Sequence, residues 1–276
     1  MKEPCLKVFG ERNTGTNYLC RLIELNLNIN LLRGTAPPWI TTLQRWLPGQ
    51  HERLIDYYFH LTYLTNMGWK HSLVIPSDFI ESLENDSFHK TYFITLTKNP
   101  YSWLLSLYNR PHHYRHTFNF FENPMLWLLS LYKSPANYTI KKKTFEDFLV
   151  SPWLTVDREN APPKIVNPIM LWNIKNASYI DLKNNAHAIN LKYEDLLISP
   201  EKLICDISNV FHLTKKDEKF KNLHGSTKGD KKHFSDYQLY YLEERWKEKL
   251  SQKAINIINS YLDNSLLEYY GYRKLP

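Results

Sequence analysis

The residues best suited to chemistry are concentrated near the start of the chain, in Lys7-Val8-Phe9-Gly10-Glu11-Arg12-Asn13-Thr14-Gly15-Thr16-Asn17-Tyr18. Leu6, Val8 and Phe9 read as a short apolar strand, and from Tyr18 onward Leu19, Leu22, Ile23 and Leu25 recur at helical spacing. A tight turn between such a strand and helix aims backbone N–H groups and the positive end of the helix dipole at one point. That point suits a phosphate or a sulfate. Thr14 and Thr16 would add hydroxyl donors there, and Arg12 a fixed positive charge. Nucleotide-hydrolysing loops of the form Gly-x-x-x-x-Gly-Lys-Ser/Thr place their Lys on the β- and γ-phosphates. Gly10 and Gly15 have that separation, but Thr16 and Asn17 stand at the Lys and Ser/Thr positions. ATP or GTP hydrolysis is therefore not expected, and a kinase of the P-loop type is a minor alternative. Taken alone, the segment fits an ordinary strand–helix connection equally well.

Three further segments carry candidate groups. The β-rich run Thr91–Thr97 ends in Lys98-Asn99-Pro100, followed by Trp103, Leu104, Ser106, Leu107 and Tyr108 at helical spacing. A cation at a strand's C-terminal end and a hydroxyl two turns into the next helix can grip one phosphate together. Singly, they are a solvated Lys and a helix-surface Ser. Gly68-Trp69-Lys70-His71 opens a second strand candidate, Trp69–Ile75. A His beside a strand end of an open α/β sheet lies where ligand sites gather, and an unperturbed imidazole is largely neutral and able to take a proton at pH 7. Side chains of neighbouring strand residues point to opposite faces, so only one of Lys70 and His71 should face a bound group. Arg12 is then the first choice for the missing loop cation and Lys70 the second; His60, His113 and His116 are the reserve bases. Ala188–Tyr193 is a strand candidate leading into Tyr193-Glu194-Asp195-Leu196, and Ser199 and Pro200 suit the N-cap and first turn of a helix through Ile204, Ile207 and Phe211.

In this order the segments resemble the sulfotransferases that use 3′-phosphoadenosine 5′-phosphosulfate (PAPS). Asn13-Thr14-Gly15-Thr16-Asn17-Tyr18 resembles their 5′-phosphosulfate loop. Lys98-Asn99-Pro100 with Ser106 resembles their 3′-phosphate motif, an Arg-Asn-Pro with a Ser eight residues after the Arg. Trp69-Lys70-His71 is similar to the segment holding the catalytic His, although no residue separates Lys70 from His71. Tyr193-Glu194-Asp195-Leu196 with Pro200-Glu201 is a further match. Gly225-Ser226-Thr227-Lys228-Gly229-Asp230-Lys231 resembles the loop that covers the nucleotide. The likeness runs from about residue 5 to residue 234.

The resemblance implies a single α/β domain over residues 1–276, with a central parallel sheet flanked by helices in a P-loop NTPase-like sulfotransferase fold. It implies PAPS as sulfuryl donor, PAP as product, no metal, and a hydroxyl or nitrogen of a small molecule as acceptor. Donor binding would fall to Arg12, Asn13, Thr14, Gly15, Thr16, Asn17, Tyr18, Lys98, Ser106, Tyr193, Lys228 and Gly229, with His71, Arg12 and Lys70 catalytic. Tyr18 stands where the family carries a Trp that stacks on adenine; Tyr18 and Tyr193 fit core aromatics nearly as well. The Gly-Glu-Arg-Asn-x-Gly-Thr-Asn form of the loop resembles a bacterial small-molecule branch. That branch includes the sulfotransferases of cyanobacterial paralytic-toxin pathways, one candidate likeness, under which the chain would serve secondary metabolism and sulfate a guanidinium alkaloid of the saxitoxin type. A degenerate member that binds nucleotide without catalysis is the non-enzymatic alternative.

Composition agrees with this. A chain of 276 residues can bury one sizeable core. The net charge of +7 suits a polyanionic nucleotide. Its cations are scattered, tight runs occurring only at Lys141–Lys143 and Lys228–Lys232, and RNA-binding signatures are missing, so no nucleic-acid partner is expected. No apolar run approaches the ~20 residues that span a bilayer, and the N-terminus enters a strand without a signal peptide. A cytoplasmic monomer or homodimer without membrane contact is the expectation. Cys5, Cys20 and Cys205 show no metal-ligand spacing, and His112-His113-x-x-His116 lacks accompanying Cys or carboxylates.

Strand candidates Leu6–Gly10, Trp69–Ile75, Tyr92–Thr97 and Ala188–Tyr193 alternate with helices, as in a parallel, helix-covered sheet. Two irregular aromatic-rich stretches run from Leu32 to about Tyr63 and from Arg110 to about Pro163; the resemblance implies that they form the acceptor pocket and its lid, and packing as ordinary aromatic helices against the sheet fits them nearly as well. After Phe234, Ser235 and Gln238 form a possible capping box for a helix through Leu239, Leu242, Trp246 and Leu250.

Overall fold

The computed structural model describes residues 4–46, 51–75, 91–109, 144–223, 225, 227 and 232–276. In chain order its elements are β1 (Cys5–Gly10), α1 (Thr16–Asn26), β2 (Asn30–Leu32), α2 (Pro38–Trp46), α3 (His51–Leu61), α4 (Tyr63–Asn66), β3 (Thr91–Thr97) and α5 (Pro100–Asn109). There follow α6 (Phe145–Val150), β4 (Trp153–Leu154), β5 (Lys164–Ile165), α7 (Pro168–Asn185), β6 (Ala188–Lys192), α8 (Tyr193–Ile198), α9 (Pro200–Val210), α10 (Phe234–Leu242), α11 (Gln252–Tyr261) and α12 (Asn264–Tyr270).

Among the described residues the main sheet has the order β2-β1-β3-β6, and every pairing in it is parallel. Strands covered on both faces are buried throughout, as β1 and β3 nearly are, even at Lys7, Thr95 and Thr97. Side chains alternate between those faces. Leu6 and Val8 of β1 join Ile94 and Leu96 of β3 against Leu19, Leu22 and Ile23 of α1 and Ile204 and Ile207 of α9. Phe9 and Phe93 face the other way, onto Tyr179 and Leu182 of α7. A further core gathers Trp103, Trp172, Trp246 and Tyr270 where α5 and α7 meet the C-terminal helices. Each large apolar side chain so buried contributes about 1.5–3 kcal/mol.

Register pairs Gly10 with Leu96 and Thr97 with Lys192, so β1, β3 and β6 end along one edge of the sheet. There β1 turns into α1, β3 into α5 and β6 into α8, and the candidate loop, Lys98 with Ser106, and Tyr193 stand on those three turns. The α/β class and parallel sheet agree with the sequence reading.

Several elements differ from it. Trp69–Ile75 is not a strand. Met67 (φ 56°) and Gly68 (φ 74°) both adopt left-handed backbone, and Ser72 N–H closes a turn on Trp69 O at 3.0 Å. The strand expected over Ala188–Tyr193 ends at Lys192, and Tyr193 opens a helix. The short strand β2 was not expected. The first aromatic-rich stretch is largely helical, with Pro38 opening α2. The capping box of α10 is formed by His233 and Asp236, not Ser235 and Gln238. That helix stops at Leu242, before Glu244 with its left-handed φ of 54°, and Trp246 lies in a separate 3-10 turn. Residues 112–116 and 141–143 lie outside the described residues. No described helix is long and apolar enough to cross a membrane.

Candidate active site

The turn between β1 and α1 is built around two left-handed residues, Asn13 (φ 65°) and Gly15 (φ 90°). Thr14 closes it by giving both its N–H (3.2 Å) and its hydroxyl (2.5 Å) to Glu11 O. Gly15 is the N-cap of α1, no side chain caps the helix, and its first turn carries no acid. The leading N–H groups and the positive end of the dipole are thus left for an external anion. Gly15 is required on two counts: its φ, and its approach to Tyr193, whose ring would lie 2.5 Å from a Cβ.

The cation for this turn comes from elsewhere in the chain. The buried Lys70 ammonium donates to Asn17 Oδ1 in the first turn of α1. Its backbone is fixed from both sides, by Gly10 N–H on Lys70 O (2.9 Å) and Lys70 N–H on Gly34 O (3.1 Å). Gly34 permits this, since a Cβ there would lie 2.5 Å from Lys70 Cβ. Burial lowers the Lys70 pKa, and the neighbouring Cys20 opposes that shift. Arg12, the first choice from the sequence, has its guanidinium 2.9 Å from Glu159 and 4.6 Å from the Trp69 ring centre. The order is therefore reversed: Arg12 is neutralised by an acid, and Lys70 stands at the helix.

His71 does not point away from Lys70 along a strand, because the segment turns. Its Nδ1 meets Gly10 O. A carbonyl only accepts, so Nδ1 carries the proton and Nε2 keeps a lone pair. Trp69 packs edge-on to the imidazole at 4.9 Å. Burial, then the charges of Lys70 and Arg12, hold the His71 pKa well below its usual value, and the Gly10 hydrogen bond opposes them. Lys175 of α7, wholly buried, donates to His71 O at 2.5 Å and lies 3.6 Å from Glu11 Oε2, tying this turn to the loop. His60 is exposed on α3, and residues 113 and 116 lie outside the described residues.

At the end of β3, Lys98 is 1% exposed. Its Nζ donates to Ser106 Oγ at 3.0 Å and to Asn13 O at 3.4 Å. It lies 3.8 Å from the ring centre of Tyr241 and 5.1 Å from that of Tyr193. No acid among the described residues forms an ion pair with it. Glu194, the nearest influence, instead accepts from Asn99 N–H (3.0 Å) and Tyr272 OH (2.8 Å). Burial pushes the Lys98 pKa down to about 7, with the Glu194 charge acting against the shift. A buried ammonium with no ion-paired acid is costly unless another group compensates its charge.

A pocket lies against the β1–α1 turn and α5: Asn13, Gly15, Tyr18, Ser106 and Tyr193 line it together with Lys232, Phe234 and Tyr237. Tyr18 is fixed by donating to Asn222 Oδ1 at 2.7 Å, and its ring centre is 5.7 Å from that of Phe234. Thr16 is buried in the first turn of α1. Residues 228 and 229 lie outside the described residues. Tyr241 and Asn222 escaped the sequence reading because they lie outside the motifs, one after them and one between them; the spacing of Tyr237 and Tyr241, four apart on one helix, was the available signal. No cluster of three metal-ligating side chains occurs among the described residues.

No family model matches the chain, and no curated protein does. Among solved structures it is similar to the sulfotransferase domain from the Synechococcus PCC 7002 olefin synthase, at 14% identity and a TM-score of 0.41, covering 100% of this chain and 98% of that one. A sulfotransferase from Alicyclobacillus acidocaldarius aligns at 12% identity and a TM-score of 0.38, over 97% and 100% of the two chains. The sulfotransferase domain from the curacin biosynthetic pathway aligns at 12% and 0.37, over 100% and 99%. All three are sulfotransferases, the family whose motifs this sequence resembles.

Proposed function

We propose that the chain transfers a sulfuryl group from PAPS to a hydroxyl or nitrogen of a small-molecule acceptor and releases PAP. One observation carries the reading. A pocket is lined both by the turn before the uncapped α1, whose first turn Lys70 bonds, and by Ser106, which the buried Lys98 ammonium bonds. A nucleotide phosphorylated at both its 3′ and 5′ positions needs two such grips. Lys98 fits the 3′-phosphate because no acid among the described residues forms an ion pair with it. The Gly15 turn fits the phosphosulfate because its N–H groups are uncapped and its glycine leaves the backbone open.

Sulfuryl transfer is an in-line displacement, so positioning and charge stabilisation do most of the work. The acceptor's oxygen or nitrogen forms its bond to sulfur as the bond from sulfur to the phosphate oxygen breaks. Negative charge then grows on that phosphate, where Lys70 and the α1 N-terminus stabilise it. His71 takes the acceptor's proton on Nε2, the nitrogen that its Gly10 contact leaves free. In the free protein Lys70, Arg12 and Lys175 oppose a charged imidazole. The donor's negative charge would offset them and raise the basicity of His71 when it is needed. Arg12, tied to Glu159 and packed on Trp69, buttresses the loop in this reading.

The test is an acceptor screen by mass spectrometry with PAPS and a pool of small hydroxyl and nitrogen compounds, guanidinium alkaloids of the saxitoxin type among them. A mass gain of one sulfuryl group, with PAP appearing in step, is expected. Phosphate transfer from ATP in the same pool, without sulfation, would replace this reading by the kinase alternative.

A further inference from the structure

Lys98 is held by aromatic faces and neutral oxygens, with no acid among the described residues ion-paired to it. Its ammonium lies 3.8 Å from the ring centre of Tyr241, nearer than to Tyr193 at 5.1 Å. An aromatic face attracts a cation without neutralising it, whereas a carboxylate in that place would compete with any incoming phosphate. Tyr241 also fixes the second group. The single hydroxyl hydrogen of Ser106 goes to Ser102 O at 2.8 Å. Ser106 Oγ therefore accepts from both Lys98 Nζ at 3.0 Å and Tyr241 OH at 3.2 Å. Tyr241 is itself braced, parallel to Tyr237 at 6.5 Å and edge-on to Tyr193 at 5.2 Å. Those two tyrosines line the pocket and Tyr241 stands behind them.

We infer that Tyr241 is a positioning residue for 3′-phosphate selection, its ring holding the Lys98 ammonium and its hydroxyl holding Ser106 on the pocket wall. The inference rests on the sulfuryl-donor reading above and adds to it a residue from α10, outside the strand–helix turns that carry the other groups. It makes the choice between 3′-phosphorylated and plain nucleotides depend on the helix that follows the covering segment.

Titration calorimetry of the parent, Tyr241→Leu and Tyr241→Phe against PAP and AMP tests this, since the two ligands differ only in the 3′-phosphate. The parent should prefer PAP. Tyr241→Leu, which loses ring and hydroxyl, should forfeit about tenfold or more of that preference, and Tyr241→Phe, which keeps the ring, a smaller part of about two- to fivefold. AMP affinity should hold in both. A parent that binds PAP and AMP alike removes the sulfuryl-donor reading and this inference with it. A parent that prefers PAP, beside a leucine variant that keeps the full preference, removes the inference alone. If circular dichroism shows the leucine variant unfolded, the phenylalanine variant decides: its preference must fall, and an undiminished one overturns the inference.

Discussion

Lys98 Nζ donates to Ser106 Oγ at 3.0 Å across eight residues, from the end of β3 to the second turn of α5. That contact sets the ammonium on a hydroxyl of the pocket wall, with no acid among the described residues ion-paired to it. Hydrogen bonds to charged groups contribute about 1.5–3 kcal/mol each, so Lys98→Ala should weaken PAP by that amount and leave AMP nearly unchanged. Calorimetry with both ligands checks this; an equal loss for the two would place Lys98 away from the 3′-phosphate.

The same lysine makes PAP binding depend on pH in a defined direction. In the free protein its pKa is about 7, and a bound phosphate would raise it towards its ordinary range. Binding therefore takes up a proton, its full strength is present below pH 7, and it is lost as pH rises above 7. Phosphate monoesters complete their ionisation near pH ~6, so the ligand's own charge is constant there. Affinity should fall by up to about tenfold per pH unit above 7, with calorimetric heats that vary with buffer ionisation. Lys98→Arg stays charged and should flatten the dependence. An affinity that holds or rises between neutral pH and pH ~8.5 in the parent would contradict the assignment.

Gly15→Ala should damage fold and site together. A left-handed non-glycine residue costs about 1–3 kcal/mol, and the new Cβ would lie 2.5 Å from the Tyr193 ring. Urea unfolding should report the destabilisation and calorimetry a loss of PAP binding. Unchanged values in both would show that the turn tolerates a side chain.

His71→Ala should lose roughly 10²–10⁴-fold in turnover, the usual worth of general-base assistance, while PAP still binds. In the parent, burial, with the charges of Lys70 and Arg12, holds the His71 pKa well below its usual value, so its acid limb in kcat/KM for PAPS should lie below that of an ordinary imidazole. A loss under about tenfold would make His71 structural and send the search for the base elsewhere.

Much of this was legible because β1 and β3 are strands rich in apolar and β-branched residues that end in polar turns, and the side chains on such turns fall on one edge of a parallel sheet. What local sequence could not show was pairing through space. Lys70 supplies the ammonium at α1 only because the 67–72 segment turns back on Gly10 and Gly34. Arg12 is spoken for by Glu159, more than a hundred residues away. Tyr241 reaches Lys98 from a helix beyond the motifs. The strand expected at Trp69–Ile75 failed for a local reason: left-handed Met67 and Gly68 break its approach, and the backbone of Lys70 bonds singly to two different neighbours.

The most direct test of sulfuryl transfer is a single-turnover experiment with PAPS radiolabelled in its sulfuryl group, excess protein, and the mixed acceptor pool. The label should leave the nucleotide and appear in an acceptor-derived product, with PAP formed in equal amount. PAPS that binds tightly yet keeps its label throughout would contradict transfer and leave a nucleotide-binding protein without catalysis.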